Sequence, residues 1–422
     1  MTWYHLFEPN IEKLVALSIL VIAFGLILYR KINIVYISIP GAVLLILLGI
    51  IAPDFAFLEG VEWEVLAIYS GYGMLALTLR ESGLPAWVAV HILRRIKKEK
   101  YVLLFLCVMA AVLSSFMANP VVVIMLAPLV IDVAERLKGN LFVYLVALAI
   151  SSNVVTTVTM IADPPALILA SKTGMGFLDF YWFQGKVGLG ALSIVGVGVA
   201  MLVLLISFRR MNKMVDVVAE EVRITSFVPL AIFILSIVAL SLSYWNPGII
   251  GLAVGVFSLV VGRRYAKGMV KEFDWNSIIF LVGIFIIIAA TEQVGLLRDF
   301  ADWLAGTGLT STTIYLAIFV WISVALSSFI DNVPYTVLMI PVCTYLAEAL
   351  GVNPFPFYYG MLVGTGIGGN ITPVGATANV LACGMLEKRG YKIELGKYMA
   401  LSVPFSVAAA LSVHLLLQFV WL

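Results

Sequence analysis

Two carboxylates and a run of amides and hydroxyls interrupt a chain that is otherwise mostly hydrocarbon. Asp331 lies in Leu326-Ser327-Ser328-Phe329-Ile330-Asp331-Asn332-Val333, and Leu113-Ser114-Ser115-Phe116-Met117-Ala118-Asn119-Pro120 is nearly the same octad met earlier. Asp163 ends Ser151-Ser152-Asn153-Val154-Val155-Thr156-Thr157-Val158-Thr159-Met160-Ile161-Ala162-Asp163-Pro164-Pro165. The second half answers with Gly364-Thr365-Gly366-Ile367-Gly368-Gly369-Asn370-Ile371-Thr372-Pro373-Val374-Gly375-Ala376-Thr377-Ala378-Asn379. Carboxylate, amide and hydroxyl oxygens are ligands for a hard cation such as Na+, and N–H groups at the start of a half-helix suit an anion. The chain lacks a nucleophile–base pair, a metal cluster and a nucleotide loop, so the reading is not an enzyme and needs no cofactor beyond a coupling ion.

The elements that hold these residues are set by composition. Of 422 residues 62% are hydrophobic and 12% charged, and the mean hydropathy is +1.08. No water-exposed surface tolerates that, so the fold class is an all-α polytopic membrane protein with the bilayer as partner. Period-2 alternation is absent, which excludes a barrel. The net charge of +2 implies no nucleic-acid partner. Cys107, Cys343 and Cys383 sit in apolar runs without CxxC spacing and read as packing residues.

The octads belong to a longer repeat. Trp275 follows Trp63 and Gly295 follows Gly83 by 212, while Asn332 follows Asn119, Pro341 follows Pro128 and Thr372 follows Thr159 by 213. Two repeats result, 1–207 and 226–422, joined by the charged linker 208–225.

Charge tells how the repeats are oriented. Arg94, Arg95, Lys97, Lys98 and Lys100 correspond to 306–312, which has no basic residue; Arg263, Arg264, Lys267 and Lys271 correspond to 51–59, and Lys388, Arg389 and Lys392 to 175–179, again without Lys or Arg. Basic loops mark the cytoplasm, so the copies have opposite topology. About five crossings per repeat, plus one non-crossing hairpin, place both termini outside a cell membrane and the linker in the cytoplasm.

Small polar residues and a proline at 114–120 and 327–334 break long apolar runs, as a hairpin dipping into the membrane does; the hairpins are expected over 101–138 and 312–350. Glycines and prolines in the second interruptions read as broken helices over 141–175 and 356–387. Asp331, Asn332, Asn119, Ser115, Ser328, Asn370 and Thr372 are the candidate coupling-ion ligands, with Na+ at Asp331, Asn332 and Thr372. Asn153, Thr157, Thr159, Asp163, Gly375, Thr377 and Asn379 are candidates for the substrate shell. Both aspartates also fit the plainer role of helix caps.

At these residues the chain resembles the ion transporter superfamily, in the branch of arsenite permeases, NhaD-type sodium/proton antiporters and the melanosomal P protein. Ser328-Phe329-Ile330-Asp331-Asn332-Val333-Pro334 and Gly368-Gly369-Asn370-Ile371-Thr372-Pro373-Val374-Gly375-Ala376-Thr377-Ala378-Asn379-Val380 are similar to the family's S-A-F-x-D-N-x-P and G-G-N-G-T-x-I-G-A-S-A-N-V. The first half matches through Asn119, Ser152-Asn153 and Ala162-Asp163-Pro164-Pro165. The resemblance implies a homodimer with scaffold and transport domains, two re-entrant hairpins and elevator-type alternating access. The chain departs from the pattern at Ala118, where the antiporter-like pattern has Asp, at Val155 and Thr156 in place of Gly-Gly, and at Ala166 in place of the closing Asn. On that pattern Asp331 is left as a lone carboxylate. The expectation is an Na+- or H+-coupled secondary transporter of a small anion or a metalloid oxyacid such as arsenite, with sodium/proton antiport second and passive anion conduction third.

Overall fold

The computed structural model describes residues 8–29, 32–214, 222–309 and 311–422. The outside placement of residues 1–7 and the middle of the linker, 215–221, lie outside the described residues. The principal helices of the first half are α1 (Pro9–Tyr29), α2 (Val35–Leu47), α3 (Trp63–Glu81), α4 (Leu84–Leu93), α5 (Glu99–Ser114), α6 (Asn119–Arg136), α7 (Leu141–Asn153), α8 (Pro164–Thr173) and α9 (Leu189–Ser207). The second half repeats the order as α10 (Val228–Leu242), α11 (Pro247–Val261), α12 (Trp275–Gln293), α13 (Leu296–Ala305), α14 (Thr312–Ser327), α15 (Asn332–Leu350), α16 (Phe355–Gly368), α17 (Thr377–Glu387) and α18 (Leu395–Trp421). The short segments Pro53–Phe55 and Ala56–Gly60 before α3 have a counterpart in Ala266–Glu272 before α12. A two-residue ribbon, Trp182–Phe183 against Lys186–Val187, is the one sheet among the described residues.

Local chemistry explains the punctuation. Gly83 and Gly295 begin α4 and α13 with φ of 73° and 82°, a left-handed turn that a side chain would strain. Prolines stand in the first turns of α6, α8 and α15, where a missing N–H costs nothing. Five described stretches are long and apolar enough to cross a bilayer alone: α1, α12, α15, α18 and Leu189–Arg210, which contains α9. The breaks shorten the rest.

The two halves are interleaved. α2 packs along α12 of the other repeat, and α11 packs along α3. α11 does so with Gly248, Gly251, Gly255 and Ser258, spaced three or four apart on one stripe. A side chain at Gly251 would collide with the backbone of Ile68, so the small stripe is required by the approach. Ile249, Leu252, Val256, Phe257 and Val260 face outward on the opposite side of α11. An apolar exterior of this kind is what lipid as solvent selects.

α7 and α16 form the centre. α16 is buried along its whole length and α7 everywhere except Val143, as expected of helices apolar on all sides. α7 packs on α5 and α6, α16 on α14 and α15. The halves then cross over, because α17 lies against α7 and α8 against α16.

Candidate functional site

Four structural interruptions converge: the turns after α5 and α14, and the breaks after α7 and α16. They form one side of a cavity of ≈ 280 Å³ whose other side is α3 and the start of α12, including Tyr69, Tyr72 and Ser277. Four helices, α6, α8, α15 and α17, start at its floor, and their N-cap residues Ala118, Asp163, Asp331 and Ala376 all line it.

Each break is tied to its hairpin by a threonine. The Thr159 hydroxyl donates to the Ser115 carbonyl at 2.5 Å, and the Thr372 hydroxyl donates to the Ser328 carbonyl at 2.5 Å. The bonds satisfy carbonyls that the hairpin turn releases, in a depth where lipid offers no donor. The Ser115 hydroxyl donates to the Ala111 carbonyl, and that of Ser328 to the Val324 and Gly368 carbonyls.

Asparagines tie the two halves together. Asn119 Nδ2 donates to Asn153 Oδ1 at 3.1 Å, and Asn153 Nδ2 donates to Asn370 Oδ1 at 3.0 Å and Asn379 Oδ1 at 2.9 Å. Asn370 in turn donates to the Ile150 carbonyl, and Asn379 to the carbonyls of Gly369 and Thr372. All four amides are buried.

Asp331 does act as a cap, accepting from the Val333 amide at 3.0 Å, whereas Asp163 makes no side-chain cap bond. Asp163 lines the cavity together with Asn332 and lies within electrostatic reach of Asp331. Ala118 leaves Asp331 without an acidic repeat mate, as the motif comparison has it, and Asp163 is a second carboxylate lining the same cavity. The two are not repeat mates: Ala376 stands at the position equivalent to Asp163, and Ala118 at that of Asp331. Each half carries an acid at a different position, and both line the one cavity. Sequence comparison position by position misses this because it compares mates, while the fold joins non-mates.

The rim is charged. Arg80, in the last turn of α3, donates to Glu272 at 2.5 and 2.6 Å and to Glu81 at 2.9 and 3.2 Å. Glu272 lies outside the spanning helices, and the hydrogen bond from Arg80 holds its carboxyl below the usual glutamate range. Among the described residues lining the cavity, the charged side chains are Arg80 against Asp163, Glu272, Asp274 and Asp331. Sequence reasoning passed over Arg80, although an arginine inside an apolar helix is a signal worth following.

Of the residues singled out from the sequence, Asn119, Asn153, Asp163, Asp331, Asn332, Gly375 and Thr377 line the cavity. Ser115, Ser328, Asn370, Thr372, Thr159 and Asn379 lie behind it in the bonds just described. Thr157 is farther back, its hydroxyl 2.7 Å from that of Ser193 in α9. Asn332 accepts from the Ser327 hydroxyl at 2.6 Å.

The arrangement has relatives. The chain is 26% identical over 436 residues to an uncharacterized transporter of Mycobacterium tuberculosis, covering 97% of this chain and 98% of that protein. It is 23% identical to the human P protein, covering 83% of this chain and 52% of that one. Among solved structures the YdaH transporter of Alcanivorax borkumensis superimposes with a TM-score of 0.60 over 97% of this chain and 98% of its own, at 14% identity, which speaks for the fold. A family profile described as citrate transporter matches residues 24–364. The chain is a member of the citrate transporter family, within the ion transporter superfamily.

Proposed function

We propose that this protein is an ion-coupled secondary transporter of a small anion, with Na+ or a proton held at Asp163 and Asp331. The observation that carries this reading is the meeting of that carboxylate pair with four helix starts at one cavity floor. A cation between the acids and an anion at the helix starts compensate one another, so neither is stranded in a low-dielectric site. The family's description makes a carboxylate anion such as citrate the first to test, and arsenite the second. Basic loops on the rim side make it the cytoplasmic side, and the cavity is then open inward.

Transport by elevator-type alternating access fits the same geometry. The tied hairpins and breaks are the moving body, and α3 and α12 the stationary wall. Polar bonds between the two cluster away from the open rim: Tyr345 donates to Glu292 at 2.8 Å, and Lys172 pairs with Glu62 at 2.5 Å. Opening to the other side requires those bonds to break.

Cation exchange, as sodium/proton antiport, is the second reading, favoured by four acids against one arginine in the lining. Uptake of citrate and arsenite into proteoliposomes under separate Na+ and pH gradients tests both. Anion uptake driven by either gradient supports the first reading; Na+ and H+ counterflow with no anion movement supports the second and overturns the first.

A further inference from the structure

Two basic runs far apart in sequence meet at one end of the first half. Lys98 and Lys100 flank the start of α5, and Arg209 and Arg210 follow α9 in a short turn, Phe208–Arg210, that packs on α5. An isolated backbone bridge holds the runs in register. The Glu99 amide donates to the Lys213 carbonyl at 3.0 Å and the Lys100 amide to the Met211 carbonyl at 3.2 Å, with Lys98 opposite Met214. Side chains fasten the bridge from beneath. Buried Glu99 accepts from the Tyr144 hydroxyl at 2.6 Å and from the Lys213 amide at 3.3 Å, and the Lys213 ammonium donates to the carbonyls of Leu137 and Lys138 just past α6.

The cations gathered this way are uncompensated. Lys98, Lys100, Arg209 and Arg210 make no ion pair among the described residues. Nearby acids are engaged elsewhere: Glu99 in the bonds above, and Asp132 and Glu135 of α6 with Arg136 and Arg389. Lys98, Arg209 and Arg210 are exposed, and the Lys100 ammonium lies 5.2 Å from the centre of the Tyr101 ring.

The surface beside them suits hydrocarbon. Tyr101, Val108 and Val112 are exposed on α5, and Val195, Leu202 and Ile206 on α9, each set spaced seven and then four, so each helix turns one apolar stripe outward. The two helices are in contact, and their stripes run up to the cations. A phosphodiester carried on acyl chains matches that layout, its chains along the stripes and its charge among the basic groups.

We infer that Lys98, Lys100, Arg209 and Arg210 form a binding site for an anionic phospholipid, with the bridge to 211–214 setting its geometry. The site lies outside the cavity and stands apart from the transport reading. A basic loop such as Arg263, Arg264, Lys267 and Lys271 comes from one stretch of chain, whereas this site needs two.

The test is thermal unfolding of the full-length protein in detergent, titrated with phosphatidylglycerol, phosphatidylcholine or glycerol phosphate. For the native protein phosphatidylglycerol raises the midpoint at a concentration roughly tenfold below that of phosphatidylcholine, and glycerol phosphate does not raise it. Lys98→Gln/Lys100→Gln and Arg209→Gln/Arg210→Gln each lose most of this preference, because either run alone is half a site, while Lys267→Gln/Lys271→Gln keeps it. Equal loss in all three double variants is diffuse attraction to a basic face and overturns the inference, as does a preference retained in either of the first two; if one of these does not fold, the other decides. Equal stabilisation by glycerol phosphate makes the ligand a free anion and overturns the lipid. The linker acids Asp216, Glu220 and Glu221 lie outside the described residues; if they occupy the cations, the native protein shows no lipid preference and the inference falls.

Discussion

Thr159 and Thr372 stand 213 residues apart and make the same bond in opposite halves, each closing its own hairpin through the carbonyl of Ser115 or Ser328. The relationship makes hairpin and break in each repeat one mechanical piece. The asparagine relay then joins the two pieces across the repeat boundary.

Removing either hydroxyl leaves a buried carbonyl unpartnered. Thr159→Val and Thr372→Val are each expected to cost about 1–3 kcal/mol, seen as a lower thermal unfolding midpoint in detergent. An unchanged midpoint in both variants contradicts the clamp.

At the rim, Glu272 is held by Arg80 with its carboxyl below the ordinary glutamate value. Stability from a depressed carboxyl is present above its unfolded value, about 4.3, and lost as pH falls through the lower folded value. Thermal scans of the native protein therefore fall away below about pH 4 more steeply than those of Glu272→Gln. Parallel pH profiles argue against the pair.

Tyr345→Phe removes the bond from the second hairpin to Glu292 and, on the proposed reading, favours opening on the side away from the rim. In a background without Cys107, Cys343 and Cys383, a cysteine at Asn332 becomes labelled from outside several-fold faster when Tyr345 is Phe. Equal rates count against a latch at this bond, and absence of outside labelling during turnover counts against the elevator.

Gly251→Leu forces a side chain into the Ile68 backbone at the α3–α11 crossing. Overpacking of this kind costs about 1–3 kcal/mol or more. The variant is expected to yield little monodisperse protein by size-exclusion chromatography, and native-like yield contradicts the close packing.

Much of this fold was legible because membrane sequences write their exceptions plainly. Octads around Ser115 and Ser328 and the Gly/Pro-rich breaks stood out against hydrocarbon, and the constant offset of 212 to 213 related them. Partnerships were not legible. Asp163 and Asp331 sit at non-equivalent places in their repeats, so only the interleaving of α8 with α15 and α16 brings them together. Hydroxyl and amide roles were equally hidden, since a threonine that clamps a hairpin and one that binds an ion look the same in sequence. Thr372, a candidate Na+ ligand on sequence, donates its hydroxyl to the Ser328 carbonyl, a bond that leaves the oxygen's lone pairs available to a cation.

The paired carboxylates are tested most directly by Na+-dependent thermal stabilisation of the purified protein, compared with Asp163→Asn and Asp331→Asn. A cation shared between the two acids predicts that Na+ raises the native midpoint and that either substitution alone abolishes the rise. Stabilisation that survives both substitutions, or that is lost only with Asp331, would contradict a shared site.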